Sequence, residues 1–256
     1  MALERRIAII GGTGMNQWPG LQIQRRDERT TRYGAPSAPL LLGRVDGVEA
    51  CFLARHGEGH KIPPHLINYR ANLCALRDAG ITDVIAIAAV GGITPGYAPA
   101  AVGVPHDAID YTYGREHTLS DGSADSHLHH VEMEHPYHPA LRAALIAAAQ
   151  AAHVAIADQG VMGVTQGPRL ETPAEIRRAQ RDGCDMIGMT SFPEAPLAIE
   201  LGLRYACLAV SVNWCAGLNT GSAGIHAEIE QSVAQGMAKV RTILAGAMPA
   251  LLAGAH

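Results

Sequence analysis

Four short stretches of the chain are almost wholly apolar: Ile7–Ile10, Ala50–Ala54, Val84–Val90 and Tyr205–Val212, each bounded by glycine, proline or charge. Runs of this length without a polar alternation predict strands buried on both faces, as in a mainly parallel sheet covered by helices. Between them, apolar residues recur at helical spacing. This predicts helices over Ile67–Asp78, Pro139–Ala152, Pro173–Asp182, Pro193–Leu201 and about Ala227–Leu244. Three of these open on proline, which gives up no hydrogen bond at the first helical position. The Ala-rich stretch Leu141–Ala157 reads as helix running into buried strand. The alternation predicts an α/β fold, and with no Ser/Gly-rich linker the chain, residues 1–256, reads as a single domain.

Composition narrows the class. The 256 residues are 48% hydrophobic, enough for a sizeable core, and only 4% aromatic, which suits layered aliphatic packing. With 20 Lys plus Arg against 24 Asp plus Glu, the formal charge is −4 and the signs are interspersed, so no nucleic-acid partner is expected. No run approaches the length of a membrane span, and the opening apolar run enters a glycine turn too soon for a signal peptide. Five cysteines without a CxxC pair fit reduced, buried thiols in a cytoplasmic protein.

The candidate chemistry sits where strands end. Gly11-Gly12-Thr13-Gly14 follows the first strand and lets backbone N–H groups and the Thr13 hydroxyl approach an anion, though it serves equally as a tight turn. It is a poor dinucleotide fingerprint, because Gln17 stands where the last glycine would be. Arg55-His56-Gly57 follows the second strand, with His60 and Lys61 close behind; Arg suits a tetrahedral oxyanion through two parallel N–H bonds. Ala89-Val90-Gly91-Gly92 is a third strand running into glycines. Gln166–Thr172, reading QGPRLET, brings Glu171, which could accept from a base N–H or help cap the following helix. Gly188-Met189-Thr190-Ser191, before Pro193-Glu194, and Val212-Asn213-Trp214 complete the set; a buried Asn213 needs partners that a purine edge can supply.

In this order and spacing, GGTG, RHG, NYRAN (68–72), AVGG, QGPRLET, GMTSFPE (188–194) and the Asn213 strand resemble the trimeric purine nucleoside phosphorylase and 5′-methylthioadenosine phosphorylase family over nearly the whole chain. The resemblance implies a twisted, partly barrel-like mixed sheet, a homotrimer, inorganic phosphate as co-substrate, and neither metal nor other cofactor. It places phosphate against Thr13, Arg55, His56, Thr190 and the backbone of Ala89. Ala88 stands where some relatives have a phosphate-binding Thr. Met189 would lie against the ribose, the purine near Leu170, and His130 would reach a neighbouring subunit's 5′ pocket. Asn213, Glu171 and His56 are the residues expected to carry the reaction.

Relatives acting on 6-aminopurines have Asp at the Asn213 position, which accepts from N7–H and an exocyclic amine but repels a 6-oxo group. Asn can accept from N7–H and donate to O6, while Glu171 can accept the N1–H that a 6-oxopurine presents. The expected activity is phosphorolysis of a 6-oxopurine nucleoside in purine salvage. YGAPSAPL (33–40) and YTYGREHT (111–118) look most like the bacterial S-methyl-5′-thioinosine phosphorylases. A general inosine and guanosine phosphorylase and a 5′-methylthioadenosine phosphorylase are the alternatives. His226 falls near the 5′ group and can either bind a 5′-hydroxyl or only flank the last helix.

Three other readings compete. A water-using nucleoside hydrolase calls for an acidic cluster, and no DxD-type pattern is present. A non-catalytic nucleotide-binding module would not need Arg55, His56, Glu171 and Asn213 together. A metal site at His127, His129, His130, His135 and His138, within the polar stretch Gly114–His138, lacks HExxH or paired Cys spacing.

Overall fold

The computed structural model describes residues 5–15, 18–123, 128–218 and 225–254, the last segment by backbone alone at 225–228. One mixed sheet holds β1 (Ile7–Gly11), β2 (Gln22–Asp27), β3 (Leu40–Val45), β4 (Val48–Ala54), β5 (Asp83–Gly92), β6 (Val102–Gly103), β7 (Asp107–Asp110), β8 (Val161–Val164), β9 (Met186–Gly188) and β10 (Arg204–Trp214). The helices are α1 (Tyr69–Asp78), α2 (Pro139–Ala151), α3 (Pro173–Arg181), α4 (Ser191–Glu200) and α5 (Ile225–Leu252). The sheet path runs β2-β3-β4-β1-β5-β9-β8-β7; off it, β10 pairs with β5, and β6 pairs with β10. Among the described residues it stays open rather than closing into a barrel.

The four apolar runs all become strands, β1, β4, β5 and β10. β5 and β10 are the longest of the sheet and are buried along nearly their whole length, which is why their sequences do not alternate. Helices α2 and α5 pack on each other and on β10, and α4 packs on both β10 and α1. Gly236 of α5 lets the helix settle on β10, since a Cβ there would meet Val210 Cγ1 at 2.2 Å.

The pairing of β5 shapes everything that follows. Along one edge it pairs with β10 over its full length, Asp83 to Gly92. On the other edge it pairs in parallel with β1 only at residues 83–86, and antiparallel with β9 only at Gly91 and Gly92. Residues 87–90 therefore face a gap between β1 and β9, a split in the sheet with backbone groups on its rim. Opposite the split, β10 carries a bulge between Ser211 and Asn213. Such a bulge re-aims the side chains beyond it.

Three expectations are corrected. Helices α2 and α3 do open on proline, but α4 starts at Ser191, and Phe192 and Pro193 have non-helical dihedrals inside a kinked first turn. Helix α5 runs beyond both expected ends and carries Pro249 within its last turn. Val154–Ala157 forms no strand and makes only an isolated bridge, Gly103 to Ala157, because α2 ends at a loop that crosses the sheet edge.

Candidate active site

A cavity of about 470 Å³ opens at the split. It draws Gly12 and Thr13 from the turn after β1, Arg55 and His56 from the end of β4, and from β5 the unpaired rim Ala88–Val90 with Gly91 next to it. Pro168, Leu170 and Glu171 come from the loop before α3, Met189 and Thr190 from the turn after β9, and Asn213 and Cys215 from the end of β10. Six sequence segments thus meet where strands end, as binding sites of α/β sheets do. Gly12 is required there: a Cβ would lie 2.5 Å from Ile87 O and 2.8 Å from Arg55 Nη1.

Arg55 is 1% exposed and held on two sides. Its Nε and Nη2 donate to Glu194 Oε1 and Oε2 at 2.5 and 2.8 Å, and Nη1 donates to Ile87 O at 2.8 Å. A guanidinium has five N–H donors. Three are spent, and the two left lie one on each terminal nitrogen, where they can donate to an oxyanion in the cavity. Glu194 is fully buried and also accepts from Tyr205 Oη at 2.9 Å. Burial works against the charge of Arg55, but Glu194 overrides it and holds the guanidinium above its ordinary pKa. Arg55 also closes the rim of the split, since Ile87 O lies where β5 has lost β1.

His56 Nδ1 lies 2.8 Å from Ile62 O and donates to that carbonyl, which leaves Nε2 as an acceptor. Burial first, and the Arg55 charge second, bring its pKa down to about 4. A neutral imidazole beside a fixed cation can accept a hydrogen bond from a protonated oxyanion without adding repulsion. Thr190 caps α4 without using its side chain in the cap, so its hydroxyl is available to the cavity.

The opposite wall is built differently. The helix-capping alternative for Glu171 is settled by α3: Thr172 and Glu175 form a capping box, and Glu171 takes no part in it. Glu171 Oε1 instead accepts from Thr165 Oγ1 at 2.6 Å. Asn213, 9% exposed, donates through Nδ2 to Trp214 O at 2.6 Å, leaving Oδ1 and one amide hydrogen for a ligand. Cys215 stands beside them with its thiol pushed up to about 12 by burial and then by the Glu171 charge. Leu170 lines the mouth and is 58% exposed.

Nine of the expected residues, Thr13, Arg55, His56, Ala89, Leu170, Glu171, Met189, Thr190 and Asn213, line this one cavity. His130 is exposed and does not line it. The side chain of His226 lies outside the described residues, as does His127. Among the described residues, no group of three or more His, Cys, Asp or Glu is placed to hold a metal ion.

Sequence reasoning gave no role to Glu194 or Tyr205 behind Arg55, nor to Arg115. A buried arginine demands a partner, and Glu194, in the quoted GMTSFPE string, was the carboxylate to try. Arg115 is 8% exposed and donates to Met189 O, Phe192 O and Gln166 O at 2.8, 2.7 and 2.8 Å. It ties together the two loops that carry Glu171 and Thr190. Asn68 and Asn72 are structural: Asn68 caps α1 and donates to Tyr33 O, and Asn72 clamps Ser37.

The profile of the phosphorylase superfamily matches residues 6–248, and the chain belongs to that family. Among its relatives, a protein of Pseudomonas syringae pv. tomato named probable S-methyl-5′-thioinosine phosphorylase is 50% identical, covering 95% of this chain and 98% of that one. The 6-oxopurine nucleoside phosphorylase of Pyrococcus furiosus is 39% identical over 95% of this chain and 92% of its own. Methylthioadenosine phosphorylase from Schistosoma mansoni in complex with adenine superimposes with a TM-score of 0.90 at 31% identity, covering 98% and 93% of the two chains.

Proposed function

We propose that this enzyme cleaves S-methyl-5′-thioinosine with inorganic phosphate, releasing hypoxanthine and 5-methylthioribose 1-phosphate for purine salvage. The C1′–N9 bond breaks with its electron pair going to the purine, and a phosphate oxygen forms the new bond to C1′. Positive charge grows on the sugar while the base leaves as an incipient anion. The free N–H groups of Arg55, neutral His56, Thr13, Thr190 and the open backbone rim at Ala89 hold the nucleophile. Asn213 supports the proton at N7, and Glu171 accepts from N1–H. Positioning and preorganised charge supply the rate, with no covalent nucleophile.

One observation carries the base assignment: Asn213 and Glu171 face one cavity, with an amide where a carboxylate would repel O6. Met189, Val212 and Ile229 give that cavity apolar surface suited to a methylthio group. The roughly half-identical relatives named for methylthioinosine support the same choice. The enzyme acts as a cytoplasmic homotrimer, with His130 offered to a neighbour's 5′ pocket.

The test is phosphate-dependent cleavage of methylthioinosine, inosine and methylthioadenosine under one condition. Methylthioinosine gives the highest kcat/KM. Inosine as the best substrate overturns the 5′ assignment, and methylthioadenosine as the best overturns the base assignment.

A further inference from the structure

Glu171 is a wall between two cavities. It lines the active site and also a second cavity of about 170 Å³, bordered by Tyr111, Tyr113, Thr165, Gln166 and Arg178. Thr165 borders only the second. A hydroxyl has one proton to give. That of Thr165 goes to Glu171 Oε1 at 2.6 Å, because its other acceptor, Gly188 O, is 3.5 Å away. The bond takes one lone pair of Oε1 and directs that oxygen toward Thr165, so Oε2 is the oxygen with no protein donor among the described residues.

The number of free acceptors on that wall decides which purine it fits. Hypoxanthine presents one donor on this edge, N1–H. Guanine presents two in parallel, N1–H and the 2-amino group, and a carboxylate meets such a pair with both oxygens. We propose that Thr165 sets selectivity at purine C2, by holding Glu171 as a single acceptor that favours hypoxanthine nucleosides over guanine nucleosides. The inference rests on the 6-oxopurine reading above. A 2-amino group must then stay unpaired against the cavity wall or pull Glu171 off Thr165, and either costs binding. Cys215 on the same wall offers no replacement, since a protonated thiol is a weak acceptor. Thr165 acts through Glu171 and is a positioning residue.

The experiment compares kcat/KM for methylthioinosine with its 2-amino counterpart, and for inosine with guanosine, in the wild type, Thr165→Val and Thr165→Ser. The wild type prefers the substrate without the amino group by about 10-fold or more, as a site with an unmatched donor does. Thr165→Val, equal in shape but lacking the hydroxyl, shrinks that ratio to about 3-fold or less, while Thr165→Ser keeps it. A merely structural role would lower both substrates in the same proportion, and that result, or equal use of both by the wild type, sinks the proposal. Each ratio is taken within one sugar, so it remains readable if the methylthio assignment fails. The wild-type affinities for free hypoxanthine and guanine by calorimetry repeat the comparison without turnover or substitution, and equal values also count against it.

Discussion

The two walls of the cavity are held in opposite ways. On the wall proposed to hold phosphate, Arg55 is fixed on both flanks, by the buried Glu194 carboxylate and by the Ile87 carbonyl, and Glu194 is itself held by Tyr205. On the purine side, Asn213 and Glu171 each have one short hydrogen bond, to Trp214 O and from Thr165. The first wall is a network of charges whose members depend on one another. The second is a pair of separately held side chains. A network resists change, whereas singly held groups can be exchanged one at a time, so under the proposed function phosphate handling is anchored on one side and base specificity adjusted on the other.

The comparison breaks most severely at Arg55. Arg55→Ala lowers kcat/KM for phosphate by about 10³-fold or more, with a far smaller change for the nucleoside, because a charge-assisted fork is lost. It also strands Glu194 without its cation, and removing one partner of a buried pair costs about 3–5 kcal/mol of stability. Initial rates with each substrate varied in turn, together with denaturant melts, check both. Equal losses for phosphate and nucleoside would show that the two walls are not separate.

A smaller effect is expected from Asn213→Asp. The ratio of methylthioinosine to methylthioadenosine activity falls by about 10²-fold, with the phosphate KM within a few-fold of the wild type. An unchanged ratio would remove the argument from O6 and the 6-amino group. The smallest effect sharpens the electrostatics of the anchored wall. His56 in the folded protein has a pKa of about 4. Since the unfolded chain binds a proton near pH 6.5 and the folded one does not, this residue's contribution to stability is complete above pH 6.5 and is lost as the pH falls toward 4. The melting temperature of His56→Asn therefore drops less between pH 7 and pH 5 than that of the wild type. A drop of the same size would mean that His56 is not held neutral.

Much of this was legible before any coordinates. The strands β1, β4, β5 and β10 each hold an almost wholly apolar run, and the glycines, Arg55 and Thr13 lie at or just past strand ends. The short strands β8 and β9, of four and three residues, carry too few positions to show a period. Pro193 misleads because proline is usual at a helix start, yet here it falls in the kinked first turn of α4. Glu194, Thr165 and Arg115 act through partners far along the chain or across a loop. Glu194 lies 139 residues from Arg55, and Arg115 reaches carbonyls 50 to 77 residues away. Nothing local announces such pairings; they follow from how the strands are laid side by side.

That layout has one more consequence. Residues 87–90 of β5 are an exposed sheet edge placed inside a protein, and an edge strand is a template waiting for a partner. The wall that leaves it open cannot be closed by another strand without abolishing the cavity. Arg55 already takes up Ile87 O, and in the proposed reaction phosphate and nucleoside would meet the backbone groups beyond it. On that reading it is a ligand, and not a strand, that completes the sheet.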